Sequence, residues 1–263
     1  MSRATHALQT QGLGIRFGDF RAVDEVSLTL EPGARQALIG PNGAGKTTLI
    51  NLLTGVLRPS AGRILLGGED ISALSCDRRA RLGLVRTFQI NTLFPSLTPL
   101  LSVVLAIIER EGLGAVWWRP LRRHTAIHDE AHALLARLRL DAQAGTPVAE
   151  LAYGKQRLLE IALALAARPR ILLLDEPAAG VPVDESGELF EVIAELPQDI
   201  SVLFIEHDMN LVFRFARRIS VLVGGRILAE GSPAEIARDP RVREVYLGSG
   251  RAAAVGAVGD THA

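Results

Sequence analysis

The chain has 263 residues, of which 29 are basic and 29 are acidic, so its formal net charge is zero. Apolar residues make up 48% and charged residues 22%, a composition that predicts a folded globular protein and excludes low-complexity disorder for most of the chain. The balanced charge argues against a strongly basic nucleic-acid binder, so we expect no nucleic-acid partner. The single cysteine, Cys76, excludes an internal disulfide and a cysteine-rich metal site.

Hydrophobic segments in the sequence are short. No apolar run approaches the roughly 18 residues needed to cross a bilayer, and the N-terminus lacks the apolar stretch of a signal peptide. We therefore expect a cytoplasmic α/β protein. The mean hydropathy of +0.22 leaves room for an apolar surface that binds a partner.

The first third of the chain alternates short strands with glycine-rich turns. Val26–Leu30 alternates apolar and polar residues with a period of two, which predicts a half-buried strand. Gln36–Ile39 predicts a second strand, and Arg63–Leu66 a third. Thr47–Thr54 predicts a helix that ends at Gly55.

The middle third changes to helical periodicity. We predict helices over Leu100–Glu111, Ile127–Leu140 and Gln156–Ala167, since apolar residues recur there at three- and four-residue spacing. The stretch from about residue 88 to 160 is therefore a helical insertion into an α/β chain.

Strand signals return in the last third. Ile171–Leu174 is a continuous apolar run, typical of a strand covered on both faces, and Ser201–Ile205 is another. Asp184–Leu196 predicts an amphipathic helix between them. Ile219–Val223 and Arg226–Ala229 flank two glycines, which predicts a β-hairpin.

A phosphate-binding loop lies between the second predicted strand and the first helix. The segment reads G-P-N-G-A-G-K-T-T and matches the pattern G-x-x-x-x-G-K-[ST]. Its glycines allow backbone N–H groups to surround phosphates, Lys46 supplies a positive charge, and the Thr47 hydroxyl is suited to Mg²⁺. The candidate phosphate-binding residues here are Gly40, Pro41, Asn42, Gly43, Ala44, Gly45, Lys46, Thr47 and Thr48.

Two carboxylates end the apolar strand near residue 175. At the carboxyl edge of a parallel sheet they would face the ligand crevice. We expect Asp175 to hold Mg²⁺, directly or through water, and Glu176 to polarise an attacking water. An acidic pair after a strand is often only a solvated strand end, so this interpretation depends on the phosphate loop.

Three further elements complete a recognisable order. Gln89 stands at the entrance to the helical insertion, Leu151–Arg157 opens a helix before Asp175, and His207 directly follows an apolar strand. Together with the loop and the acidic pair, their order and spacing resemble those of ATP-binding-cassette (ABC) ATPases over residues 8–248. The resemblance implies a phosphate-loop NTPase core with a mixed sheet, an antiparallel β subdomain and a helical signature subdomain. It also implies a single domain between a flexible N-terminus, residues 1–7, and a disordered tail, residues 249–263.

The resemblance also implies roles for individual residues. Phe17 matches the aromatic residue that stacks on adenine, and His207 matches the residue that contacts the γ-phosphate. Gln89 matches the residue that senses Mg²⁺ and the attacking water while linking to the transmembrane partner. The implied catalytic residues are Glu176, His207 and Gln89, and the implied Mg²⁺ site comprises Thr47, Gln89 and Asp175.

The signature implies a second ATPase chain. Its residues, Leu151, Ala152, Tyr153, Gly154, Lys155 and Gln156, match the segment that caps ATP bound to the opposite subunit. The resemblance therefore implies a sandwich dimer, either of two copies or of two different cassette chains. Two places depart from the pattern: Ala152 stands where many relatives have serine, and many relatives have an aspartate near Pro182.

Several segments resemble one branch of the family, the ATPases of branched-chain amino-acid-type importers. They are Arg86–Gln89, Leu151–Gly154, Asp175–Gly180 and Val245–Gly248. The branch is related to lipopolysaccharide-export ATPases, and a soluble non-transport ABC ATPase is a further alternative. An importer subunit implies permease partners, indirectly a solute-binding protein, and a peripheral location on the inner face of the membrane.

We expect permease docking at Leu93, Phe94 and Pro95. The segment with Trp117 and Trp118 is either a packed loop or a contact with lipid headgroups or a membrane protein.

Overall fold

The computed structural model describes residues 7–87, 93–113 and 125–247. The strands are β1 (Leu8–Phe17), β2 (Phe20–Val26), β3 (Thr29–Leu30), β4 (Arg35–Ile39), β5 (Ala61–Leu66), β6 (Glu69–Asp70), β7 (Leu84–Arg86), β8 (Ile171–Asp175), β9 (Ser201–Ile205), β10 (Arg218–Val223) and β11 (Arg226–Gly231). The helices are α1 (Lys46–Thr54), α2 (Cys76–Arg81), α3 (Pro99–Arg110), α4 (Thr125–Arg137), α5 (Tyr153–Ala166), α6 (Val183–Ala194), α7 (Met209–Phe215), α8 (Pro233–Arg238) and α9 (Pro240–Leu247).

These strands form two sheets. The larger has the order β11-β10-β4-β9-β8-β7, with β11 antiparallel and the other five strands parallel. The smaller has the order β2-β1-β5-β6, with β3 also paired to β1, and all its pairings are antiparallel. The mixed sheet, the antiparallel subdomain and the helical segment confirm the predicted fold class.

Strand β8, which lies between β9 and β7, separates two hydrophobic cores. Leu172 and Leu174 pack into the core that includes the buried faces of helices α3 to α6. Ile171 and Leu173, on the opposite face, pack with α1 and the antiparallel sheet. Side chains alternate across a strand, so one apolar run supplies both cores, as expected for a strand covered on both faces.

The register of the central strands brings three strand ends together. Leu38 of β4 and Asp175 of β8 both pair with Ile205 of β9. The residues that follow these strands therefore leave the sheet at the same edge. This edge carries the phosphate loop, Glu176 and His207.

The first strands differ from those predicted from the sequence. The sequence did not predict β1, and the predicted strand over Val26–Leu30 is wrong as a continuous element because β2 ends at Val26 and β3 covers two residues. The buried Thr10 side chain explains the interruption. Its hydroxyl donates to the Val26 carbonyl at 2.9 Å and accepts the Leu28 N–H at 2.8 Å, replacing ladder hydrogen bonds at this point.

Two helix boundaries also differ from expectation. The helix predicted from Gln156 begins at Tyr153, so most of the signature lies in its first turn. The helix predicted to reach Leu140 ends at Arg137, and Arg139 has a positive φ of 57°. Gln89 and the tryptophan pair lie outside the described residues, as do the terminal segments 1–6 and 248–263. Among the described residues, no helix combines the length and apolar character required to cross a membrane.

Candidate functional site

A pocket of about 430 Å³ opens at the shared strand edge. Its lining residues come from the β2 strand, the phosphate loop, α1 and the loops after β8 and β9. They are Phe20, Ala22, Asn42, Gly43, Ala44, Gly45, Lys46, Thr47, Thr48, Glu176 and His207. Residues that the sequence analysis took from three separate motifs therefore surround one space.

The phosphate loop has room only for glycine at two positions. A Cβ atom at Gly40 would lie 2.0 Å from the carbonyl oxygen of Leu222. Gly45 has φ of 100°, and its Cβ would lie 2.4 Å from the carbonyl oxygen of Ala22. Within the described residues no side chain caps the start of α1, so its first N–H groups remain able to bind an anion.

Lys46 lies inside the loop. It is 7% exposed, and its ammonium group donates to the carbonyl oxygens of Gly40 at 2.7 Å and Pro41 at 3.0 Å. Burial lowers the pKa of Lys46, and the nearby charges of Glu176 and Asp175 oppose that shift. An ammonium has three protons, so two carbonyl bonds leave a donor for a phosphate oxygen.

Glu176 and His207 form a direct pair at the pocket edge. His207 Nε2 lies 2.6 Å from Glu176 Oε1. An ionised carboxylate only accepts hydrogen bonds, so this contact requires a proton on Nε2. Glu176 has φ of 50°, a conformation that costs free energy for a residue with a side chain. Its N–H donates to the Ile205 carbonyl at 3.0 Å, and this bond ties the strained residue to β9.

Asp175 is buried behind the pair. Its Oδ2 accepts from Arg86 Nη2 at 2.5 Å, and Arg86 Nη1 donates to Asn51 Oδ1 at 2.7 Å. The sequence analysis did not assign a role to Arg86, because its contact with Asp175 depends on the pairing of β7 with β8, which places Arg86 opposite Leu173.

The predicted magnesium residues fit that ion chemically. Thr47 and Asp175 supply hard oxygen donors, which Mg²⁺ prefers, and the ion pair with Arg86 engages one of the two Asp175 oxygens. The described residues contain no cluster of three or more His, Cys, Asp or Glu side chains suited to a metal. This donor set suits an ion held mainly by phosphates and water, since Mg²⁺ usually takes only one or two carboxylates in phosphate-transfer sites.

Two exposed aromatic rings lie at the turn between β1 and β2. Phe17 and Phe20 face each other across the tight turn between β1 and β2, and both are exposed. Phe20 lines the pocket, whereas Phe17 is not among the lining residues. The sequence analysis did not single out Phe20, because two residues separate the rings and strand geometry decides which of them lines the pocket. Phe17 remains the sequence-based candidate for stacking on adenine.

The signature residues surround a separate pocket of about 240 Å³. Ala152, Gly154 and Lys155 line it together with residues of α5 and α6, and none of the signature residues lines the phosphate pocket. The Gly154 N–H donates to Glu185 Oε2 at 3.1 Å, and Lys155 forms an ion pair with Glu188 at 3.0 Å. Gln156 Nε2 donates to the Leu151 carbonyl at 3.0 Å.

A buried glutamate between β9 and His207 was also missed. Glu206 is 5% exposed, and its carboxylate accepts the backbone N–H groups of Ala178 and His207. Burial raises the pKa of Glu206, and these two N–H donors oppose that shift. The sequence signal that could have identified Glu206 is a charged residue directly after an apolar strand.

Comparisons with known proteins agree with this geometry. The family model described as ABC transporter matches residues 23–179. The chain belongs to the ABC transporter ATPase family. It is an ATPase of that family, and a second model, described as branched-chain amino acid ATP-binding cassette transporter, matches residues 226–252.

Similar proteins cover nearly the whole ATPase. It is 43% identical over 248 residues to the high-affinity branched-chain amino acid transport ATP-binding protein LivG of Escherichia coli strain K12, covering 92% of this chain and 97% of that protein. It is 41% identical over 249 residues to BraF of Pseudomonas aeruginosa, with the same coverage. A crystal structure of the ADP conformation of an ABC transporter cassette has a TM-score of 0.81 and 32% identity, covering 92% of this chain and 99% of that one.

Proposed function

We propose that this ATPase powers the import of branched-chain amino acids or a related small polar solute as a subunit of a membrane transporter. The observation that carries the proposal is the near full-length similarity to LivG and BraF, both described as branched-chain amino acid transport ATP-binding proteins. The match over residues 226–252 supports the same branch.

The pocket at the strand edge would bind ATP and Mg²⁺. Residues 40–48 would hold the phosphates through backbone N–H groups and Lys46, and an aromatic ring of the β1–β2 turn would stack on adenine. Thr47 and Asp175 would hold Mg²⁺, and Gln89 remains a sequence-based candidate for the same site. The ion would neutralise charge on the phosphates.

Hydrolysis would use Glu176 as the group that accepts a proton from water. The His207 contact engages Oε1 at 2.6 Å and leaves Oε2 to orient the water. His207 would also contact the γ-phosphate, because it lines the same pocket as Lys46. The strained backbone of Glu176 supports a functional position, since strain of this kind is concentrated at active sites.

A second cassette chain would complete the ATP site. The signature lies on a separate surface, so it would contact ATP bound to the opposite chain, with either a second copy or a different cassette as partner. Ala152 has no hydroxyl to cap α5, and Glu185 already accepts the Gly154 N–H. The other backbone N–H groups at the start of α5 would therefore supply most of this contact. ATP would drive the two chains to close, because it would bind the closed pair more tightly than the open pair.

Permease subunits would dock at residues 93–95. Phe94 is 68% exposed, which is unusual for a large apolar side chain. Pro95 accepts the Ala149 N–H at 3.1 Å, which links this loop to the segment just before the signature helix. The protein would then lie peripherally on the inner face of the membrane and act indirectly on a solute-binding protein.

The decisive experiment is mass spectrometry of the proteins that co-purify with tagged Glu176→Gln protein from native membranes in detergent with ATP. Recovery of multi-span permeases, a second cassette and an amino-acid-binding protein would support the proposal. Recovery of a lipopolysaccharide-export assembly would favour that related branch, and ribosomal or DNA-repair proteins without membrane subunits would favour a soluble ABC ATPase. The Phe94→Asp variant, with unchanged ATPase activity in isolation, should lose the permeases.

A further inference from the structure

One buried carboxylate joins the two loops that carry the proposed reacting groups. Glu206 directly follows β9. Its Oε1 accepts the N–H of Ala178 at 2.9 Å, and its Oε2 accepts the N–H of His207 at 3.1 Å. One oxygen therefore holds the loop after Glu176, and the other holds the loop of His207.

We propose that Glu206 is a positioning residue for ATP hydrolysis, which fixes the loop of Glu176 relative to the loop of His207. The inference rests on the roles proposed above for those two residues. The 2.6 Å contact between their side chains depends on the separation of the two loops, and Glu206 is a side chain that bonds to the backbone of both.

The burial of Glu206 makes this connection specific. Among the described residues, no Lys or Arg side chain forms an ion pair with it, so its charge is compensated mainly by the two backbone N–H donors. A buried carboxylate is costly unless hydrogen bonds satisfy it, and hydrogen bonds to an ionised group are stronger than those between neutral groups. A shift of either loop would therefore leave a buried charge without a donor.

The loop held by Glu206 also contacts the signature helix. Arg157 Nη2 donates to the Ala179 carbonyl at 3.3 Å. Gly180 lies so close to Tyr153 that a Cβ atom there would be 3.1 Å from the ring. The residue that positions Glu176 and His207 therefore also restricts the loop that packs against the start of α5.

The test is Glu206→Gln in the full-length chain. Glutamine keeps the size of the side chain but must present its amide NH₂ group to one of two N–H donors, so one hydrogen bond becomes a repulsive contact. We expect kcat for ATP hydrolysis to fall by about tenfold or more while KM for ATP changes by less than about twofold. KM is expected to hold because Glu206 is not among the residues that line the phosphate pocket.

A matched control is Glu235→Gln. Glu235 also accepts a backbone N–H, from Ser232 at 2.7 Å, but in the capping box of α8. This variant should keep the wild-type kcat. Wild-type kcat in Glu206→Gln would overturn the inference, as would parallel losses in kcat, ATP affinity and thermal stability, because they would indicate a general structural role.

Two further measurements keep the result decisive. If Glu206→Gln does not fold, hydrogen exchange of backbone amides in the wild-type protein tests the inference instead. The amides of Ala178 and His207 should exchange far more slowly than in an unstructured peptide, and rapid exchange of both overturns the inference.

Glu176→Gln is assayed in parallel. If it keeps wild-type kcat, the proposed catalytic role fails and the inference fails with it; if it alone loses kcat, only the inference fails.

Discussion

The buried guanidinium of Arg79 should be essential to the stability of the phosphate-loop side of the molecule. Arg79 lies in α2 and is 0% exposed. It donates four hydrogen bonds to backbone carbonyls, to Leu52 at 2.6 Å, Leu53 at 2.7 Å, Ser72 at 2.9 Å and Leu74 at 3.0 Å. Two of these acceptors belong to the last turn of α1, the helix that begins at the phosphate loop.

The magnitude for Arg79→Ala follows from these contacts. Each buried carbonyl left without a donor costs about 1–3 kcal/mol. The Leu52 carbonyl keeps a second donor, the Gly55 N–H at 3.2 Å, so the other three carbonyls set an upper range of roughly 3–9 kcal/mol. Water can enter the space left by the side chain, and burying the charge already destabilises the folded wild-type protein. Both effects reduce the difference, so we expect the free energy of unfolding to fall by about 3–5 kcal/mol. Burial lowers the pKa of Arg79, consistent with that desolvation cost.

Urea unfolding monitored by circular dichroism measures the effect. Arg78→Ala is the matched control, because Arg78 neighbours it in α2 and is exposed. Arg78→Ala should change the free energy of unfolding by less than about 0.5 kcal/mol. Equal urea midpoints for the two variants, with unchanged dependence of the free energy of unfolding on urea, would refute the conclusion that the four hydrogen bonds of Arg79 stabilise the fold.

Three other substitutions test the site and its surroundings. Lys46→Ala should weaken ATP binding by about 10- to 100-fold, measured by calorimetry, because a charge-assisted phosphate contact of about 1.5–3 kcal/mol is lost; unchanged affinity would exclude Lys46 from the site. Phe20→Ala should weaken ATP binding more than Phe17→Ala, since only Phe20 of this pair lines the pocket; the reverse order would identify Phe17, the sequence-based candidate, as the stacking residue. Glu130→Gln should destabilise the protein at pH 7 by about 1 kcal/mol. The hydrogen bond from Arg110 lowers the pKa of Glu130 from its ordinary 4.5, so its contribution is present above that value and lost as the pH falls through the lowered value; a pH-independent difference from wild type would contradict this.

Local chemistry made much of the site predictable. The phosphate loop, the acidic pair and His207 are readable because each needs particular residue types at a fixed spacing along the chain. The central strands were predictable for a similar reason, because a strand buried on both faces must be continuously apolar. The start of α5 was less readable, because Ala152 supplies no side-chain cap to mark it.

The sequence by itself determined the chemistry, and the tertiary structure decided how its parts meet. Residue types identified a phosphate-binding ATPase and the residues Lys46, Asp175, Glu176 and His207. The structure decided that Phe20 lines the pocket and that Glu206 joins two loops. The physical reason is that these contacts depend on strand register and burial between residues far apart in the chain, which local spacing does not encode.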